Sequence, residues 1–257
     1  MRRLKPFRDI RTFIAGLRRP TGVRRAAASG DRGYLICSSP RSGSTYLAEL
    51  LASTGVLGVP REYFNPLDRW GRTNKERPGD VRPLFRRVLT SGATPNGVYG
   101  LKSHADHFAA VVAVIDPMRA LPHLKLVRIR RQDMLAQAIS WMRAQQTGQF
   151  HAAKRPKGAP RYDASAIRGL IALLAEQTAI WDRILAASGG VPLEIEYERL
   201  VEDPQREVDR VARLMGVPSP VPIDPARVKL TVQRDELSAA WHRRFLAEAD
   251  EVALPGR

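Results

Sequence analysis

The sequence predicts an α/β protein: a P-loop-like parallel sheet flanked by helices on both faces. Three observations predict it. Short apolar runs alternate with stretches of helical period from Gly33 onward. Strand and helix follow one another in turn, an order that builds parallel sheets rather than hairpins. A turn rich in serine and glycine, with an arginine inside it, joins the first apolar run to the first helical one. That is where such folds present backbone N–H groups to an anion.

The elements follow in order. Residues 1–32 read as an arm and a linker ahead of one domain, 33–257. In the arm, Leu4, Phe7, Ile10, Ile14 and Leu17 recur at steps of three and four, with arginines on the other faces. A basic amphipathic helix of this kind can lie on an anionic membrane surface; a packed or unstructured arm is the plainer alternative. Tyr34–Ser38 is the first strand, Ser39–Thr45 the loop, and Tyr46–Leu51 the first helix. A helix is expected near Arg82–Thr90, a second strand at Val98–Lys102, and a helix over 104–115. Leu124–Ile129 is a third strand, with a helix over Asp133–Gln146 and a basic loop at 147–162. The longest helical stretch is 163–188. Val191–Tyr197 is a fourth strand. Glu198–Met215 is helical, restarting at Asp203-Pro204, and the tail 227–249 holds a last helix.

Charge narrows the function classes. The chain has 42 Lys and Arg against 26 Asp and Glu, a net +16. Nucleic acid, an anionic membrane and a polyanionic small ligand are the partners such a balance suits. Residues 1–30 hold nine of the basic residues and a single acid, Asp9, which is half the net excess. A basic arm on a moderately basic domain describes this better than one continuous nucleic-acid surface, so nucleic acid is the weaker reading. One cysteine, Cys37, excludes an internal disulfide. No apolar run reaches the roughly 20 residues of a membrane span. Arginines interrupt any N-terminal apolar stretch, so no secretory signal is expected. A cytoplasmic protein follows, peripheral at the membrane if the arm docks there.

The loop SSPRSGST (Ser38–Thr45) is the strongest chemical signal. Gly43 permits a tight turn, and Arg41 offers a planar fork to phosphate or sulfonate oxygens. Ser42, Ser44 and Thr45 supply hydroxyls and candidate caps for the helix. An ATP-dependent kinase would carry a lysine before Ser44-Thr45 and a glycine five residues before Gly43, where Ser38 stands. The loop therefore suits a phosphate-like group without the metal apparatus of nucleotide hydrolysis.

Several blocks in order carry a resemblance: Tyr34–Thr45 (YLICSSPRSGST), Thr54–Phe64 (TGVLGVPREYF), Thr94–Lys102 (TPNGVYGLK), Arg130–Asp133 (RRQD) running into Gln137–Trp141 (QAISW), and Tyr197–Pro204 (YERLVEDP). Over roughly residues 33–250 the sequence resembles the sulfotransferases that use 3′-phosphoadenosine 5′-phosphosulfate (PAPS), most closely the Stf0 family of bacterial trehalose 2-sulfotransferases. The resemblance implies a sulfotransferase fold, PAPS as donor, 3′,5′-adenosine bisphosphate as product, no metal, and a homodimer. It implies a carbohydrate or glycolipid hydroxyl as acceptor. Pro40, Arg41, Ser42, Gly43, Ser44 and Thr45 would bind the 5′-phosphosulfate. Arg131 and Ser140 would bind the 3′-phosphate, with Arg130 as the adjacent alternative. Glu62 would be the general base, the alternative being a surface glutamate paired with Arg61. Aromatic Tyr63 and Phe64 suggest a sugar-facing site around it. Lys102, at a strand end, is a candidate for holding the sulfonate or its bridging oxygen, or is simply a solvated strand-end lysine. Two positions depart from the family's trehalose enzymes: Pro40 replaces a glutamine and Val59 an acidic residue. Both lie near the expected acceptor, so the donor half of the resemblance is intact and trehalose itself is in question.

Other residues read more plainly. His104 and His107 flank Asp106 on one helical face, but with no third ligand nearby they read as capping or packing histidines. Cys37 is a small buried hydrophobe; Trp141 and Trp181 belong to the core. Glu194 and Glu196 alternate with Leu193 and Ile195 as on an exposed strand face. The competing reading of the whole chain is a basic nucleic-acid- or membrane-binding protein with a non-catalytic P-loop-like fold.

Overall fold

The structure is a computed structural model that describes residues 31–65, 82–113, 115–150, 156–230 and 236–253. The arm of residues 1–30, and Lys154 and Arg155 of the basic loop, lie outside the described residues.

Strand β1 (Arg32–Ser38) leads through the loop into α1 (Ser44–Ser53). Helix α2 (Arg82–Ser91) precedes β2 (Val98–His104), which passes directly into α3 (Ala105–Val112) and the single turn α4 (Pro117–Ala120). Strand β3 (Leu124–Arg130) leads to α5 (Met134–Thr147), then the long α6 (Ala164–Ser188) and β4 (Leu193–Glu196). Helices α7 (Tyr197–Glu202), α8 (Pro204–Leu214) and α9 (Glu236–Ala253) follow. The break between α7 and α8 falls where Asp203-Pro204 puts it. The Asp203 side chain accepts from Arg206 N–H, and Pro204 takes the first helical position, where a missing N–H is harmless. Strand β4 is shorter than the sequence suggests: Val191 is 97% exposed, and Tyr197 already belongs to α7. Strand β2 is longer, so Lys102 lies inside it and His104 ends it.

The four strands form one parallel sheet in the order β2-β1-β3-β4. The chain goes from β1 to a neighbour on one side and returns to β3 on the other. That reversal opens a crevice at the C-terminal end of β1, where open α/β sheets bind ligands. Alternation along the strands loads both faces. Leu35, Cys37, Tyr99 and Leu101 pack with Phe85 of α2, Phe108 of α3 and Trp181 of α6. Tyr34, Ile36, Val127, Ile129 and Ile195 pack with Leu47 and Leu51 of α1 and Val208 and Val211 of α8. A third cluster joins α5, α6 and α9 through Ile139, Met142, Leu174, Trp241 and Phe245. Trp181 is buried; Trp141 is half-buried against this third cluster. Burial pushes the Cys37 thiol well up, so it stays an inert thiol. Glu194 and Glu196 are half-buried rather than fully exposed, and they pair with Arg130 and Arg199.

Candidate functional site

Strand β1 aims the loop into the crevice, and three later elements shape it. Gln137 of α5, itself buried, donates to Ser39 Oγ (2.9 Å) and to the Pro40 carbonyl (2.6 Å). Trp181 Nε1 of α6 donates to the Ser38 carbonyl at 2.8 Å. The Tyr197 ring of α7 lies where any Cβ on Gly43 would collide with it. Gly43 has φ 89°, and Arg41 has φ 62°, a left-handed conformation uncommon outside glycine. A non-glycine residue held there stores strain that the surrounding contacts must offset, a pattern found at ligand-binding turns. The backbone, not a side chain, opens α1: its N-cap is Gly43, and no side chain caps it. The hydroxyls of Ser42, Ser44 and Thr45 are therefore not caps, because left-handed Gly43 occupies the capping position. Ser42 Oγ is buried without a hydrogen-bond partner, and Thr45 Oγ1 accepts from Lys102 Nζ at 2.7 Å.

On the β3 side of the loop, cationic groups gather. Arg41 Nε donates to Ser140 Oγ at 3.0 Å, and its Nη1 to the Phe150 carbonyl at 2.8 Å. Burial, and then the nearby Arg131 charge, lower the pKa of Arg41. Arg131 stacks over the Tyr197 ring, 4.8 Å from its centroid, and its Nε is buried without a partner. Arg130 points elsewhere and pairs with Glu194 at 3.2 Å. The structure thus puts Arg41, Arg131 and Ser140 in one cluster, with Ser140 hydrogen-bonded to Arg41. Buried polar atoms without partners are uncommon in folded proteins. Ser42 Oγ and Arg131 Nε, beside two guanidinium groups, are the donor set an anion needs.

On the β2 side, Glu62 is the centre. Its segment is tied to β2 by a bridge between Arg61 and Leu101 and by Lys102 N–H donating to the Arg61 carbonyl at 3.0 Å. Glu62 Oε1 lies 3.1 Å from Lys102 Nζ and 3.7 Å from His104 Nε2. Its Oε2 accepts from Asn65 Nδ2 at 2.7 Å. Burial pushes its pKa up, but Lys102, His104 and the Asn65 hydrogen bond outweigh that and hold it at about 2. The cation facing Glu62 is Lys102, not the exposed Arg61. Tyr63 and Phe64 do not face a sugar. Both are buried, with Tyr63 Oη donating to the Val59 carbonyl and Phe64 packed on Phe85 and Phe108.

Sequence reasoning missed several groups here. His104 sits against Glu62 instead of merely capping or packing, because β2 runs two residues further than its apolar run. Gln137 and Tyr197 lie inside the blocks that carry the resemblance, but nothing in their residue type says that they shape the loop. Asn65 carried no signal.

The sequence model of the Stf0 sulphotransferase family matches residues 33–248. A trehalose 2-sulfotransferase of Mycobacterium tuberculosis (strain Erdman) is 30% identical, over 87% of this chain and 98% of that protein. One from Mycolicibacterium smegmatis is 28% identical, over 86% and 97%. Among solved structures, the sulfotransferase domain of the Synechococcus olefin synthase is similar at 16% identity with a TM-score of 0.43, covering 88% of this chain and 98% of that one.

Proposed function

The chain belongs to the Stf0 sulphotransferase family and is a sulfotransferase; on that premise we propose that it moves a sulfuryl group from PAPS to a carbohydrate hydroxyl, with Glu62 as general base. The observation that carries this reading is Lys102, whose Nζ reaches both Thr45 of the anion loop and Glu62. It sets a carboxylate beside the place where the loop would hold a phosphosulfate.

PAPS, when bound, supplies the sulfuryl group and a 5′-phosphate that leaves. Arg41, Ser42, Gly43, Ser44 and Thr45, with the turn at Pro40, hold the 5′-phosphosulfate. Arg131 and Ser140 hold the 3′-phosphate, and the Arg41–Ser140 hydrogen bond couples the two ends of the donor site. Positive groups fixed before the reaction stabilise charge as it shifts to the leaving phosphate, and this supplies much of the catalysis, as in phosphoryl transfer. With Lys102 facing it, Glu62 is charged across the physiological range but is a weak base. An anion in the loop competes for Lys102. As that ion pair weakens, the Glu62 carboxylate becomes a better proton acceptor for an acceptor hydroxyl.

Both relatives are named for trehalose, and trehalose is the first acceptor to test. Pro40 and Val59 make other carbohydrates the next. Incubation with PAPS and a panel of trehalose, other sugars and glycolipids, read by mass spectrometry, is expected to give one sulfated product. A panel from which no member gains a sulfate sinks the carbohydrate assignment.

A further inference from the structure

His104 has no part in the reading above, yet among the described residues it is the histidine nearest the proposed base. It ends β2 and faces Glu62, with Nε2 3.7 Å from Glu62 Oε1. Its other ring nitrogen, Nδ1, is 3.3 Å from Ser38 Oγ, at the end of β1. Ser38 Oγ donates its one proton to the Ser103 carbonyl at 3.1 Å. A hydroxyl whose proton is committed can only accept. On that arrangement the imidazole proton is assigned to Nδ1, which leaves Nε2 with a lone pair toward the Glu62 carboxylate. A distance of 3.7 Å between two acceptors is not a hydrogen bond. The pair lacks one proton, and gaining it would turn a contact of two acceptors into a charge-assisted bond.

We propose that Glu62 and His104 act as one proton-accepting pair, with the acceptor hydroxyl's proton ending between Glu62 Oε1 and His104 Nε2. The inference rests on the sulfuryl-transfer reading above. In that reaction the acceptor oxygen forms its bond to sulfur as the bond from sulfur to the bridging phosphate oxygen breaks. The phosphate leaves with the electron pair, and the hydroxyl proton must be taken up by the protein. Glu62 alone, beside Lys102, holds a proton poorly. A neutral imidazole behind it gives the proton a second site.

The surroundings suit that role. Burial lowers the pKa of His104; Lys102 and His107 add to this, while Glu62 and Asp106 oppose it. His107 lies 5.7 Å away, ring to ring, on α3. These groups and Ser38 face the imidazole from β1, β2, α3 and the Glu62 segment. The net effect keeps His104 neutral at pH 7, ready to accept.

Long-range nitrogen–proton NMR of the histidine side chains tests the pairing on the protein alone. The His104 signal is assigned by its loss in His104→Asn, or by through-bond correlation to the backbone if that variant does not fold. The expected result is a neutral ring with its proton on Nδ1 and a protonation midpoint below 6.5. In Glu62→Gln that midpoint falls further, by roughly one pH unit, because the opposing carboxylate is gone. A neutral ring protonated on Nε2 overturns the proposal, since such a ring can only donate to Glu62. So does a midpoint that Glu62→Gln leaves in place. Calorimetry with 3′,5′-adenosine bisphosphate separates the two levels. Absent bisphosphate binding removes the transfer reading, whereas an Nε2–H tautomer removes only the pair.

Discussion

On the β3 side of the β1 terminus, Arg41 and Arg131 lie close together, and two buried polar atoms, Ser42 Oγ and Arg131 Nε, have no partner. On the β2 side, Glu62 is matched by Lys102 and Asn65, and Lys102 is matched again by Thr45. The first region holds excess positive charge and unmet donors, so it gains most from an anion that arrives. The second is balanced and gains most from the movement of a proton. On the proposed reading, one strand end separates a region that binds from a region that reacts, and Lys102–Thr45 is the contact that joins them. Substitutions on the two sides should therefore fail differently.

The largest effect is expected on the reacting side. Glu62→Gln should lower turnover by about 10²–10⁴-fold, the usual range for a general base, with bisphosphate affinity changed little. Steady-state rates beside calorimetry check this; equal losses in both would erase the distinction between the regions. On the binding side, Arg131→Ala should weaken 3′,5′-adenosine bisphosphate by about 1.5–3 kcal/mol, the worth of a charge-assisted hydrogen bond. It should leave 5′-AMP nearly unaffected, and a uniform loss for both nucleotides would move Arg131 away from the 3′-phosphate.

The Glu62 ion pair also predicts a stability signature. The folded carboxyl titrates near 2, against an ordinary value of 4.5. A depressed pKa contributes stability that is fully present above about 4.5 and is lost as pH falls toward 2. A shift of that size is worth about 3 kcal/mol at most. Urea midpoints of the natural protein and Glu62→Gln should therefore differ at pH 7 and converge as the pH is lowered to 3. A gap that does not narrow contradicts the ion pair. The smallest effect belongs to the brace. Gln137→Ala removes two hydrogen bonds to the loop, each worth about 0.5–1.5 kcal/mol. Only part of that loss of loop bracing reaches the bound state, so bisphosphate affinity should fall by no more than roughly 10-fold with kcat nearly kept, as measured by calorimetry and initial rates.

Much of the fold was legible because its signals are local. The apolar run Tyr34–Cys37, the loop with Arg41 and Gly43, and the Asp203-Pro204 restart each specify their structure within a few residues. The clustering of Arg41 and Arg131 was legible for the same reason, since Arg41 sits in the loop and Arg131 just after a strand. The reacting side was less so. His104 and Lys102 meet Glu62 because the Glu62 segment bridges to β2, and no short-range pattern encodes that pairing. Tyr63 and Phe64 misled for a related reason: an aromatic beside a base can face a ligand or a core, and only the packing of α2 and α3 decides between them.

The most direct test of the binding site is calorimetry of the natural protein with 3′,5′-adenosine bisphosphate, 5′-AMP and ATP in parallel. The account predicts tight binding of the bisphosphate and at least tenfold weaker binding of the other two. Equal affinity for all three would mean that Arg41, Arg131 and Ser140 do not read a 3′-phosphate, and would contradict the account at its centre.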